Sequence, residues 1–250
     1  MLRLTLALFL ATSSALLAQA PTPAPAPALY GKVEGKSYVS PTGLFKIAIP
    51  VLPELGGDIT DTTNVVTFQD DFNLHVSIAA FPQDATQRWE LSTRGLKDYL
   101  IYFFSNFVLA DFRQTFQGVQ IESAKFIPGS MDGSLLTYLL IPGGTMFADR
   151  LPQMNAENVP VAKRGNLLFV RSEHIFVIST ELAERVIEGK SYSKKTEEED
   201  ELLRNRLNDI LSKITFAKPP TVKPAAPAAV SAPSADSTPA VTVPIAPAKK

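Results

Sequence analysis

The stretch from Asp84 to Phe112 constrains most strongly what this chain can fold into. Large apolar side chains recur at Leu96, Leu100, Phe103 and Phe107, with Tyr99, Phe104 and Val108 beside them. The i, i+3, i+4, i+7 spacing puts them on one face of a helix over about 84–112, a face wide enough to lie on a sheet. Burying six or seven such side chains contributes roughly 10–20 kcal/mol before the entropy of ordering is subtracted. Asp84 with Gln87 three residues on is a capping-box pattern. Gly95 weakens the helix by about 1 kcal/mol relative to alanine and marks a point where it can break. The apolar run from Tyr99 to Ala110 is too short to cross a bilayer, which takes about 20 residues, so it belongs in a core.

Strands surround this helix. Ser40-Pro41-Thr42-Gly43 is a turn, and Phe45, Ile47 and Ile49 after it alternate with Lys46 and Ala48 until Pro50 ends the strand. The turn predicts a hairpin over 37–51. Further strands are expected at 64–69 and 73–81, then at 117–126 and 134–141. A second hairpin is expected from 166–171 and 174–180 around Ser172-Glu173. One or two helical turns fit 181–188. A second amphipathic helix spans about 196–213, with Leu203, Leu207, Ile210, Leu211 and Ile214 on its apolar face. Its first turn is acidic and Lys213 closes it, as the helix dipole favours. The fold class is α+β: an antiparallel sheet with the long helix and the C-terminal helix packed on it, an αβ sandwich.

Composition bears on the ends. Residues 1–20 read as a secretory signal, with Arg3, the apolar run Leu4 to Leu10 and the Ala18-Gln19-Ala20 cleavage pattern. Pro21 disfavours that cut, which leaves Ala15 as the other position. Residues 21–29 form a Pro/Ala spacer suited to polyproline II. Residues 30–217 form a single globular domain. Residues 218–250 are a Pro/Ala-rich tail with too little apolar surface to order itself. The expected location is therefore outside the cytoplasm, in a periplasm or beyond the cell. After signal cleavage no transmembrane segment is expected. The chain has no cysteine, which excludes disulfides, thiol catalysis and thiolate metal sites, and a net charge of −1 gives no electrostatic case for nucleic acid.

Two motifs frame the domain. The opening Tyr38-x-x-Pro-x-Gly-x-Phe-x-Ile-x-x-Pro50 and the closing Leu207-x-x-Ile-Leu-x-x-Ile-x-Phe216 resemble the PsbP-like α/β sandwich superfamily. That group includes photosystem extrinsic subunits, small Ran-binding proteins and bacterial exported proteins of unknown role. The resemblance covers about 38–217. It implies an antiparallel sheet with helices packed on it, and binding or assembly roles. It carries over no catalytic residue set.

No constellation of reactive groups assembles in the sequence. His75 and His174 are the only histidines, and neither belongs to an H-E-x-x-H or G-x-S-x-G pattern. Glu197-Glu198-Glu199-Asp200-Glu201 reads as a solvated first helical turn, because successive carboxylates point around a helix instead of converging. Asp58, Asp61, Asp70 and Asp71 lack calcium-loop spacing and suit turns. Gly143-Gly144-Thr145 follows a strand without the lysine of a phosphate loop. No catalytic residue, cofactor or metal ligand is assigned.

The remaining feature is an irregular stretch over about 143–164. Loops of that length inside a compact domain are usually functional or disordered. It carries Met146, Phe147, Leu151 and Met154 beside Arg150, Lys163 and Arg164. Apolar side chains with basic neighbours suit a partner surface, with Met146, Phe147, Arg150, Leu151 and Met154 as its contacts. The alternative is a loop that folds back and buries Phe147 and Leu151. The expected function is a non-catalytic exported domain that binds a protein or cell-envelope component through this loop. Two other readings are a carboxylate-dependent hydrolase, and a structural module tethered to envelope polymer by its tail.

Overall fold

The computed structural model describes residues 28–148 and 159–218. The expected signal, most of the spacer and nearly all of the tail lie outside the described residues. The chain divides into two units, 1–217 and 218–250, and the fold below is that of the first.

Among the described residues, eleven strands form two antiparallel sheets. The small one orders β1 (Lys32–Glu34), β2 (Ser37–Val39), β3 (Phe45–Ala48) and β11 (Ile214–Phe216) side by side. The large one draws on β4 (Asp58–Asp61), β5 (Val65–Gln69), β6 (His75–Pro82), β7 (Gln120–Ile127), β8 (Ser134–Pro142), β9 (Val161–Arg171) and β10 (His174–Glu181). Its order is β4-β5-β6-β10-β9-β8-β7. The helices are α1 (Ala85–Arg94), α2 (Leu96–Phe103), α3 (Leu109–Thr115), α4 (Ala183–Ile187) and α5 (Thr196–Ser212), with a π turn at Phe104–Val108 joining α2 to α3. The expected sheet is accompanied by a second, because β1, β2 and β3 pair among themselves and β11 returns to pair with β3. None of the helices among the described residues is long and apolar enough to cross a membrane.

Both faces of the large sheet are covered, so the molecule is an α+β sandwich. On one face Tyr99, Leu100, Phe103, Phe104 and Leu109 pack against Leu135, Leu139, Leu168, Ile175 and Val177. On the other, Tyr38, Phe45 and Ile47 of the small sheet and Leu203, Leu207 and Ile210 of α5 cover Phe68, Val76, Ile78, Phe169 and Phe176. Double coverage is why β8, the Leu167 to Val170 stretch of β9 and the Ile175 to Ile178 stretch of β10 read as apolar runs instead of alternating ones. Gly165 lets α5 lie close on β9: a Cβ there would meet the Leu207 Cδ1 at 3.1 Å and the Leu203 Cβ at 3.3 Å.

The long helix is not one helix. Gly95 ends α1 with φ +75° and ψ 163°, a conformation open to glycine and strained for other residues. Helix α1 buries no residue, and Trp89 on it is 61 % exposed. The apolar face begins at Leu96 because packing begins there. The π turn then adds a residue to the helical cycle and rotates the buried stripe from Phe104 to Leu109. Phe107, expected on the inner face, is 45 % exposed and stacks on Phe103 with ring centroids 4.9 Å apart.

Candidate functional site

Strand β9 begins at Val161, so the connection from β8 ends at 160, and Lys163 and Arg164 are strand residues. Consecutive strand residues project to opposite faces. Lys163 and Arg164 are accordingly both buried, one on each face of the large sheet, and each gathers its own set of partners.

Lys163 is fully buried on the face that α5 covers. Its ammonium lies 2.5 Å from Glu122, 2.6 Å from Asp200 and 3.1 Å from Glu199. The register of β7 against β8 shifts between Ile121 and Ser123, and this bulge aims Glu122 across the sheet. Arg185 binds both oxygens of Glu199, at 2.7 and 2.9 Å, while its Nε donates to the Val161 carbonyl. The acidic first turn of α5 is therefore not wholly solvated: Glu199 and Asp200 converge on β9. Burial would lower the Lys163 pKa, but hydrogen bonds to Asp200, Glu122 and Glu199 outweigh it and raise it. A lysine held protonated in this way supplies a structural cation and no amine nucleophile.

Arg164 is buried on the helix-covered face, with its guanidinium 4.9 Å from the Phe112 ring centroid. It donates to the Gly144 carbonyl (3.0 Å) and to Glu181 Oε2 (3.3 Å). Glu181 accepts in turn from the Thr145 hydroxyl (2.6 Å) and the Met146 N–H (2.9 Å), and the Phe147 N–H donates to Thr145 Oγ1 (3.1 Å). Gly143 N–H donates to the Pro160 carbonyl and closes the base of the connection. One buried ion pair thus fixes the root of the loop. Beside it the Ser179 hydroxyl donates to Asn166 Oδ1 (2.7 Å), and the Asn166 amide donates to Thr137 Oγ1 (3.4 Å). An amide carbonyl and not a base holds the Ser179 proton, so that hydroxyl is not activated for attack.

Phe147 is 3 % exposed and meets the edge of the His75 ring at 6.3 Å. It belongs to the core and not to an exposed contact surface, because the Thr145–Glu181 contacts turn it inward. Met146 is half-buried. Arg150, Leu151 and Met154 lie outside the described residues. The His75 Nδ1 is buried with no hydrogen-bond partner among the described residues. Burial first, and the charge of Arg164 second, push the His75 pKa from 6.5 down to about 4.

A pH dependence follows. The unfolded chain takes up a proton at His75 near pH 6.5, whereas the fold resists until about pH 4. The contribution of neutral His75 is complete above pH 6.5 and is lost as the pH falls toward 4, by about 3 kcal/mol at roughly 1.4 kcal/mol per pH unit. Urea midpoints at pH 7 and pH 4 should show this loss, and His75→Phe should remove most of it. An equal loss in that variant would assign the acid sensitivity to other groups.

The other acidic and histidine candidates have local roles. His174 Nδ1–H donates to the Ser172 carbonyl at 2.7 Å within its hairpin turn. Asp61 accepts from the Tyr38 hydroxyl and from the N–H groups of Tyr30 and Gly31, strapping the start of the domain to β4. Asp70 accepts three successive N–H groups, from Phe72, Asn73 and Leu74. Asp58 is exposed on β4, and Gly143-Gly144-Thr145 forms the loop root described above. Among the described residues no group of three or more acidic or histidine side chains is placed to hold a metal ion.

No protein-family model matches the chain, and no curated protein does. Among solved structures it is similar to the cyanobacterial PsbP protein, CyanoP, of Synechocystis sp. PCC 6803, at 12 % identity and a TM-score of 0.46 over 75 % of this chain and 98 % of that one. It is similar to the Ran-binding protein Mog1p of Saccharomyces cerevisiae at 10 % identity and a TM-score of 0.39, over 76 % of this chain and 96 % of that one. A point variant of Mog1 matches at 9 % identity and a TM-score of 0.39, over 74 % and 96 % of the two chains. These likenesses are weak and are of fold alone.

Proposed function

We propose that this domain is a non-catalytic binding module, exported from the cytoplasm, that recognises a protein or cell-envelope component through the connection between β8 and β9. The observation that carries this reading is the clamp at the loop root. Arg164 and Glu181 are both buried, and most of their hydrogen bonds go to Gly144, Thr145 and Met146. Burying an ion pair is costly and often adds little stability. Here it holds the base of an irregular loop in one place, as a rigid scaffold does for a binding loop. Met146, Arg150, Leu151 and Met154 are the proposed contacts, and Phe147 is buried at the loop root. The hydrolase reading has less support, because the converging carboxylates Glu122, Glu199 and Asp200 are tied to Lys163.

The test changes Met146 and Leu151 together to serine and leaves Phe147 in place. Melting should stay nearly unchanged, and capture of a specific component from envelope extract should be lost, because a few apolar anchors carry most binding energy. A lowered melting temperature with capture intact would refute the binding-loop reading.

A further inference from the structure

The loop root lies on the face of the large sheet that α2 and α3 cover. On the opposite face a groove of about 590 Å³ opens between β7 and α5. That volume falls within the range of about 300–1,000 Å³ typical of small-ligand sites. Leu136, Leu167 and Leu207 form its floor and Ile127 part of one wall. These residues belong to, or pack against, the core beneath the small sheet and α5, so the floor is a rigid apolar surface. The charges around it are unequal. Asp200 lines the groove, but its carboxylate is held by Lys163 at 2.6 Å. Lys125 on β7 and Arg204 on α5 line it from opposite walls and are exposed. Glu201 approaches Arg204 only at 3.8 Å, with both side chains at least half exposed, an arrangement worth little in water. The groove therefore combines an apolar floor with two cations whose charge is not consumed internally.

We propose that this groove binds a single-chain amphiphile with an anionic head group. Its acyl body lies along Ile127, Leu136, Leu167 and Leu207, and its head sits between Lys125 and Arg204. Charge complementarity selects the anion, and the concave apolar floor selects the chain. Neither part of the assignment depends on the loop: the two sites occupy opposite faces of the sheet and share no residue.

The test is calorimetric titration of the full chain with dodecanoate below its micelle concentration, beside dodecyl maltoside and acetate. Saturable 1:1 binding of dodecanoate is expected, at least about tenfold tighter than either comparison ligand. Lys125→Glu with Arg204→Glu should weaken dodecanoate at least about tenfold and leave dodecyl maltoside unchanged. Asn208→Trp, which fills the groove from the exposed side of α5, should weaken both detergents. These substitutions are at exposed positions, and unchanged melting confirms that the fold is intact. Absence of saturable binding would overturn the proposal, as would dodecanoate binding indifferent to all three substitutions. Equal binding of dodecyl maltoside would reduce the groove to an apolar patch, and equal binding of acetate to an ion site. Tighter binding of an acidic leucine-rich peptide would assign it to a protein segment. A dimer lost in the same variants would assign it to a second copy of this chain. Each of these four outcomes rejects the amphiphile.

Discussion

Replacing Lys163 by alanine is expected to destabilise the domain by about 3–5 kcal/mol, read as a fall in the urea midpoint. The ammonium is the common partner of Glu122, Glu199 and Asp200. Removing it leaves three carboxylates near one another, with Arg185 still on Glu199. Deleting one member of a buried ion-pair group costs far more than the group contributes as a whole, because a charge left behind stays buried, here above all Glu199, whose side chain is 2 % exposed. Lys125→Ala on the exposed surface of β7 should stay within about 0.5 kcal/mol. Equal effects at the two lysines would mean that the carboxylates reach water when Lys163 is removed.

Phe104→Ala is expected to cost about 3–5 kcal/mol, and Phe107→Ala about 1 kcal/mol. The two residues lie within one turn of each other, and a regular helix continuing the Leu96, Leu100, Phe103 stripe would bury Phe107. The π turn reverses the order of importance: Phe104 is 2 % exposed, and Leu109 takes the next inner position. Thermal melts of the two variants decide between the geometries. A larger loss at Phe107 would mean that the α-helical cycle runs through without the inserted residue.

Much of the fold is legible in the sequence because periodicity reports burial. The Ser40–Gly43 hairpin, the strands β5 to β8, the turn at Ser172-Glu173 and helix α5 all carry a local signal. Strands β1 and β4 carry little: three or four residues with polar side chains show no alternation to read. The start of β9 is hidden for another reason. Lys163 and Arg164, followed by Gly165 and Asn166, separate Val161-Ala162 from the apolar run Leu167 to Val170, and sequence alone takes the two charges for loop cations. Their partners sit far away in the chain, at Glu122, Glu181 and Glu199–Asp200. Only tertiary pairing explains how either charge can be buried, so neither cluster around β9 is visible before the strands are aligned. The π turn is hidden similarly. Phe104, Phe107 and Val108 flank Ser105 and Asn106 there, and this spacing does not reveal which of the aromatic rings faces inward.

The small sheet joins the two ends of the domain. Strand β3 pairs with β2 on one side, and its other side is closed only by β11, the last strand. Everything between Ala48 and Ile214 is threaded between two neighbouring strands. A chain made from its N-terminus onward therefore carries β3 with an open edge through nearly the whole of its synthesis, and contacts this distant in sequence form slowly. The large sheet can assemble earlier, but Tyr38, Phe45 and Ile47 acquire their full surroundings only after α5 has laid β11 alongside. Completion of the molecule is thus coupled to the arrival of three residues, Ile214, Thr215 and Phe216. A chain stopped just before them has nearly all of the first unit and still lacks the strand that locks its beginning.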